Sequence, residues 1–318
     1  MNTLDFGARL DVFARSHASA SKVQVPENQD NFVVVDGHGR AIFLYEQREE
    51  ACQLSGWPAG HVRLAVLDGM GGHGHGRQAA EAAAAGLLSM PACQTLEQLS
   101  ERMDALHDSL QDHFSLGDDG DARRPGTMLT MLELRPGLAP LLYHVGDTRL
   151  YEITPERLQP LTVDHVPATA FAMQGMVGEQ EWWQQVHGEH RAQISQAFIL
   201  GNAISDPQYL TGPLHALNDA NLPYFLQGMG DRRALTVRED ALYLLASDGF
   251  WACAQPIDWV GQWPALLGGK TAAEAIAALF DSFIETPPPQ LHFDNLTAVA
   301  VRFKSAENKL NMIETASA

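Results

Sequence analysis

Aspartates recur in this sequence where apolar runs meet short polar breaks. Asp30 precedes the run 32–35, Asp68 follows 61–67, Asp147 separates two runs, Asp248 follows 241–247, and Asp294 comes just before 296–303. Each has Gly or Asn beside it. Strand ends can converge on one edge of a sheet, and carboxylates gathered there repel one another unless a hard divalent cation neutralises them. Oxygen-only ligands suit Mg2+ or Mn2+ rather than Zn2+ or copper. Any single Asp reads equally well as a turn cap, because its side chain bonds its own backbone. Five in the same setting point to a metal site.

Other chemistry-bearing residues carry weaker signals. His73 and His75 have a His-x-His spacing but no further ligands at zinc-type intervals, so they line a polar loop. The stretch Gly117-Asp118-Asp119-Gly120-Asp121 lacks the spaced ligands and terminal Glu of a calcium hand and reads as a solvated acidic loop. Cys52, Cys93 and Cys253 are scattered, and none has a neighbour that would activate it. They are expected to be small core residues of a protein in a reducing compartment.

The elements that must position the aspartates follow from periodicity. Runs at 32–35, 41–45, 61–67, 127–134, 141–145, 150–153, 241–247 and 296–303 read as strands, the third of them ending on Asp68 and a glycine-rich turn. An alanine-rich helix is expected over 76–90, stopped by Pro91. A second begins near Thr95, which has capping-box spacing to Gln98, and steps through Leu96, Leu99, Met103, Leu106, Leu110 and Phe114. A third spans 271–285, with Ile276, Leu279, Phe280, Phe283 and Ile284 on one face. Strands, a helix pair, strands, a helix and a strand make an α+β fold.

The chain has 318 residues, 21 basic and 39 acidic, for a net charge of −18. Such a surface would be repelled by a phosphate backbone, which excludes a nucleic-acid partner. No apolar run approaches the roughly 20 residues of a membrane span. The first residues lack a basic segment followed by an apolar one. A cytoplasmic protein is expected.

The motifs have a family order. Glu27-Asn28-Gln29-Asp30, Leu67-Asp68-Gly69-Met70-Gly71-Gly72-His73, Gly126-Thr127, Gly146-Asp147-Thr148-Arg149, Leu161-Thr162-Val163-Asp164-His165, Ser247-Asp248-Gly249-Phe250-Trp251 and Asp294-Asn295-Leu296-Thr297 succeed one another as in the PP2C-type (PPM) metal-dependent serine/threonine phosphatases. The resemblance runs from about residue 16 to residue 303. It implies a four-layer α-β-β-α sandwich with two central, mainly antiparallel sheets and a site for two Mn2+ or Mg2+ ions at one edge.

Carried over by position, Asp68 bridges both ions, the Gly69 carbonyl binds one, and Asp248 and Asp294 ligate the first. Asp30 holds water in the shell of the second, and Asp147 resembles the ligand of a third, weaker ion. Asn295 and Asp164 stand behind the ligands and orient them. The implied reaction is hydrolysis of phosphoserine or phosphothreonine by a metal-bridging water, without a covalent intermediate. The implied partners are a phosphoprotein substrate and a serine/threonine kinase whose action is reversed, as in bacterial signalling. The phosphatase domain would occupy 1–304, with a flap-like insert at about 166–225 and a frayed polar tail at 305–318.

The chain departs from the family pattern in two places. Val25 stands where the family's phosphate-binding arginine is expected, and the spacing from Ser16 puts Lys22 in that role after a three-residue insertion. Lysine binds phosphate as a point charge without the bidentate fork. Met70 replaces the histidine that follows the Asp-Gly pair in many eukaryotic members. Within the insert, Trp182, Trp183, Phe198 and Tyr209 are expected to pack in a helical core rather than to dock a substrate.

Two competing readings remain. Gly69-Met70-Gly71-Gly72-His73-Gly74 fits a dinucleotide fingerprint, yet Asp68 would approach the pyrophosphate and no ribose-binding acid follows at the expected distance. A catalytically weak or inactive PP2C-like binding module is the other alternative; it should have lost carboxylates, and all five remain.

Overall fold

Alternating side chains along each apolar run face two different cores, and that double burial makes these runs central strands. The computed structural model describes residues 4–18, 27–71, 75–115, 124–191, 193–204, 210 and 212–304. The strands are β1 Leu10–His17, β2 Asn31–Val35, β3 Arg40–Tyr45, β4 Arg48–Gln53, β5 Val62–Met70, β6 Gly126–Leu134 and β7 Leu141–Val145. They continue with β8 Arg149–Ile153, β9 Leu158–Pro160, β10 Gln196–Ala197, β11 Gly201–Asn202, β12 Arg232–Ala234, β13 Leu242–Ala246 and β14 Leu296–Phe303. A seven-stranded sheet has the order β12-β7-β6-β5-β2-β3-β4, and a five-stranded sheet the order β1-β14-β13-β8-β9. All neighbours in both are antiparallel.

In β2, Phe32 and Val34 meet Leu245, Val299 and Val301 of the other sheet, while Val33 and Val35 turn to the opposite face. There they join the alanines of α1 (His75–Ser89) and Leu99 and Met103 of α2 (Leu96–Ser115). On the far side, Leu242, Leu244 and Ala246 pack against α6 (Trp263–Leu267) and α7 (Ala272–Glu285). The architecture is therefore α+β in four layers: helices, seven-stranded sheet, five-stranded sheet, helices. The helix ends form where expected: Thr271 and Glu274 close a capping box on α7, and the Thr95 hydroxyl accepts the Gln98 N–H.

The structure adds what short or polar elements concealed. Strand β1 pairs with β14 over its whole length but has no clean apolar alternation. Strand β4 is a charged edge, and it leaves Cys52 half-buried, whereas Cys93 and Cys253 are core residues as expected. Strand β5 does not end at Asp68: it pairs with β6 through Met70.

The stretch 166–225, expected as an insert, contains α3 (Pro167–Met173) and α4 (Glu179–Trp183), which runs into a π-turn at Gln184–Gly188. The hairpin β10–β11 follows, tied to β6 by a bridge between Thr127 and Phe198. Trp182 and Phe198 are buried as expected, Trp183 is 41% exposed, and Tyr209 lies outside the described residues. A short helix, α5 (Pro256–Val260), leads into α6. Among the described residues no helix is long and apolar enough to cross a membrane.

One buried charge cluster anchors the first helical layer. Arg63 on β5 forms a two-pronged ion pair with Glu133 on β6, which also accepts from His61 and from the Cys93 N–H. Arg63 donates as well to the carbonyls of Leu87 and Met90, satisfying the C-terminal end of α1.

Candidate active site

The five aspartates arrive at one edge of the sandwich because the strands that carry them begin or end there. Asp30 immediately precedes β2, whose first residue Asn31 pairs with Leu67, next to Asp68 on β5. Asp147 lies in the turn between β7 and β8. Asp248 follows β13, whose last residue Ala246 pairs with both Arg149 and Ala298. Asp294 stands two residues before β14. Two sheets thus deliver three and two carboxylates to the same rim.

The glycines beside them permit that convergence. A Cβ on Gly69 would strike the Gly76 carbonyl at the start of α1 and the Gln29 carbonyl, and a Cβ on Gly249 would strike the Asn295 carbonyl. Neither glycine has a positive φ. Their requirement is close backbone approach rather than a turn, which explains why β5 continues through Gly69.

Hydroxyls and amides fix the carboxylates. The Ser247 hydroxyl donates to Asp30 Oδ2 at 2.7 Å and accepts the Thr297 N–H at 3.0 Å, linking the two sheets. Asn28 Oδ1 accepts the Asp30 N–H, and its amide donates to Ser16 Oγ, which in turn pairs with Thr297 Oγ1. Asn295 Oδ1 accepts the Gln29 N–H at 2.7 Å, and its amide donates to the carbonyls of Ala18 and Glu27. It therefore clamps the 27–29 backbone beside Asp294. The sequence places Ser247 and Thr297 within the motifs and Ser16 at their start, but their role as hydroxyl links between the carboxylate segments emerges only from the structure.

Asp164 makes no hydrogen bond to the five carboxylates, though it shares a cavity with Asp147. It is held by Arg149, whose Nε lies 3.0 Å from both its oxygens and whose Nη2 lies 2.7 Å from Oδ2. The same guanidinium donates to Tyr151 and the Val186 carbonyl and lies 4.5 Å above the Trp251 ring. Behind it, His165 accepts the Gly146 N–H and pairs with Asp231, so a buried imidazole supports the Asp147 turn. Asp231 sits alone in sequence and nothing nearby would have revealed it. Lys22 and Val25 lie outside the described residues, as do His73 and the loop 117–121. His75 stands at the start of α1 with Nδ1 3.4 Å from Gln78.

The electrostatics are those of an uncompensated cluster. Burial pushes Asp30 up to about 8, opposed by the Ser247 hydrogen bond and reinforced by charge on Asp294 and Asp248. Burial and then the Asp294 charge push Asp248 up to about 7, against a hydrogen bond with Asp68. Asp68 is held well above the carboxylate range by burial and by Asp30, Asp248, Asp294 and Asp147. Asp147 is raised by burial and by Asp248 and Asp164, with Arg149 opposing. Asp294, at the exposed rim, is raised by partial burial of its carboxyl, against the Asn295 N–H and His292.

Among the described residues no cation forms an ion pair with any of the five, and Asp147 Oδ1 is buried without a hydrogen-bond partner. An all-oxygen, negatively charged, partly orphaned donor set fits a hard divalent ion. No three His, Cys, Asp or Glu side chains among the described residues already stand as a closed ligand set. The carboxylates are gathered at the range of Coulombic repulsion, and an ion would have to draw them together. A cavity of about 110 Å3 adjoins the cluster, with Asp147, Arg149, Phe171, His190 and Trp251 among its walls.

No family model matches the sequence, and no curated protein matches it. Solved structures do. The Streptococcus (S. agalactiae) serine/threonine phosphatase superposes with a TM-score of 0.63 at 17% identity, over 93% of this chain and 100% of that one. The catalytic domain of the serine/threonine protein phosphatase PstP, in complex with two manganese ions, gives 0.59 at 22% identity over 93% and 99%. PppA, a regulatory component of the T6SS in Pseudomonas aeruginosa, gives 0.60 at 18% identity over 93% and 98%. The chain has the fold of the bacterial PP2C-type serine/threonine phosphatases.

Proposed function

We propose that this protein is a Mn2+- or Mg2+-dependent phosphatase of phosphoserine and phosphothreonine in proteins. The observation that carries this reading is the meeting of five sequence-distant carboxylates at one rim, none ion-paired to a cation among the described residues, on a fold shared with a phosphatase that holds two manganese ions. An uncompensated cluster of this kind is a functional-site signature.

Asp68, Asp248, Asp294 and the Gly69 carbonyl would hold two ions, with Asp30 acting through water and Asp147 serving a third, weaker site. Bound there, the ions supply a water of lowered pKa and neutralise charge on the phosphoryl group. The chain's own residues set the geometry. Asn295 and Ser247 keep the Asp30 and Asp294 segments in register across the two sheets. Asp164 neutralises Arg149, so that this cation does not close on Asp147. No side-chain nucleophile is used: the Ser247 hydroxyl is committed to Asp30, and burial raises the thiols of Cys93 and Cys253. Lys22 would contact the substrate phosphate. A serine/threonine kinase would supply the substrate, and PppA suggests secretion-system control as one setting.

The test is phosphate release from a phosphothreonine peptide while Mn2+ is titrated into chelator-stripped protein. Turnover that rises with metal and vanishes in Asp68→Asn supports the reading. Full activity in Asp68→Asn would overturn the site assignment.

A further inference from the structure

Beside the oxygen-rich rim stands a second set of donors of different chemistry. His190 follows the π-turn of the insert, and His292 lies two residues before Asp294. The two rings face each other with centroids 5.7 Å apart and planes inclined at 44°. Neither ring makes a hydrogen bond to any described residue. His190 also lines the cavity that contains Asp147 and Arg149.

An ion bound at about 2.0 Å from one nitrogen of each of two imidazoles sets the ring centres roughly 5–6 Å apart. The observed separation falls in that interval, so ring rotation alone could aim one nitrogen of each at a shared ion. We propose that His190 and His292 form a transition-metal site, selective for Zn2+, Ni2+ or Cu2+, that is separate from the carboxylate centre. Imidazole pairs favour these borderline ions, whereas Mn2+ and Mg2+ stay with oxygen. No third protein ligand joins them among the described residues, so water completes the shell and the affinity is modest.

The location gives such an ion a consequence. His190 belongs to the insert and His292 to the segment that delivers Asp294; the His292 N–H is itself anchored on the Ala252 carbonyl, after the Asp248 turn. One ion between them would staple the insert against the rim and hold the adjoining cavity shut. Zinc at low concentration should therefore slow turnover of the Mn2+-loaded enzyme without displacing its manganese.

The test is Cu2+ binding to Mn2+-saturated protein, followed by electron paramagnetic resonance, with Zn2+ stoichiometry measured alongside by equilibrium dialysis. The expected result is one copper with splitting from two imidazole nitrogens, and one zinc equivalent whose affinity falls roughly tenfold or more in His190→Gln and in His292→Gln. Near-ultraviolet circular dichroism checks that both variants fold as the parent does. Zinc binding of equal affinity in parent and both variants, or a copper spectrum that neither variant changes, would overturn the proposal. These readouts need no phosphatase activity, so they stand or fall apart from the function proposed above.

Discussion

Two clusters of charge share strand β5 and obey opposite rules. At Glu133, burial opposes ionisation, but the Arg63 guanidinium and hydrogen bonds from His61, Arg63 and Cys93 overcome it and hold the carboxyl below its usual range. Every oxygen there has a partner, and Arg63 also satisfies the end of α1. At the rim, burial raises Asp30, Asp68, Asp147, Asp248 and Asp294 instead, and the first four are raised further by neighbouring aspartates. Their nearest guanidinium, Arg149, is bound to Asp164. Strand β5 carries members of both clusters, Arg63 near one end and Asp68 near the other. A compensated cluster serves the fold; an uncompensated one is the signature of a functional site, which is the reading proposed for this rim.

Asp68→Asn probes this contrast hardest. It should lower metal-dependent turnover roughly a thousandfold or more, while the thermal midpoint of the metal-free protein rises because a repelled charge is gone. Glu133→Gln should do the reverse. Leaving Arg63 without its buried partner costs about 3–5 kcal/mol of stability in denaturant unfolding, and turnover per folded molecule stays unchanged.

A smaller effect separates the clusters by pH. Asp30 and Asp248 lie at about 8 and about 7 in the folded protein, against 3.8 when unperturbed. Groups raised on folding make the native state the better proton binder. Their stabilising contribution is complete below about pH 4 and is lost as pH rises through about 7 and 8. Thermal midpoints of the metal-free protein should therefore fall across that window, and saturating Mn2+ should flatten the slope. An unchanged slope with Mn2+ would mean that no ion reaches these carboxylates.

Asn295→Ala should weaken Mn2+ binding roughly 10–100-fold by releasing the 27–29 segment, while leaving turnover at saturating metal close to the parent's. Calorimetric titration reads this directly. Lys22→Ala should have the smallest consequence, a raised KM for phosphopeptide with kcat unchanged, since a phosphate contact made equally in ground and transition states affects binding alone.

Much of this contrast was legible in the sequence, and its two halves differ in why. The rim aspartates stand out because each interrupts an apolar run next to Gly or Asn, and their order resembles that of a known family. The strands beneath them were legible because Phe32–Val35 and Leu242–Ala246 are apolar on both faces. Strand β1 was not, since its half-buried edge mixes Asp11, Arg15 and Ser16 with apolar residues. That Asp164 works through Arg149 was not legible, because the two are fifteen residues apart and spacing cannot show which carboxylate a guanidinium will choose. Nothing in the sequence joins Arg63 to Glu133, seventy residues apart, or His165 to Asp231; strand register brings the first pair together, and the packing of two loops beside β7 the second.

The most direct test of the central claim is a calorimetric titration of Mn2+ into chelator-stripped protein near neutral pH, in two buffers of different ionisation heat. Uncompensated carboxylates should bind at least two ions and release protons as they do so, because raised groups must ionise to become ligands. Asp68→Asn should lose that signal. No binding, or binding without proton release that Asp68→Asn leaves intact, would contradict the account.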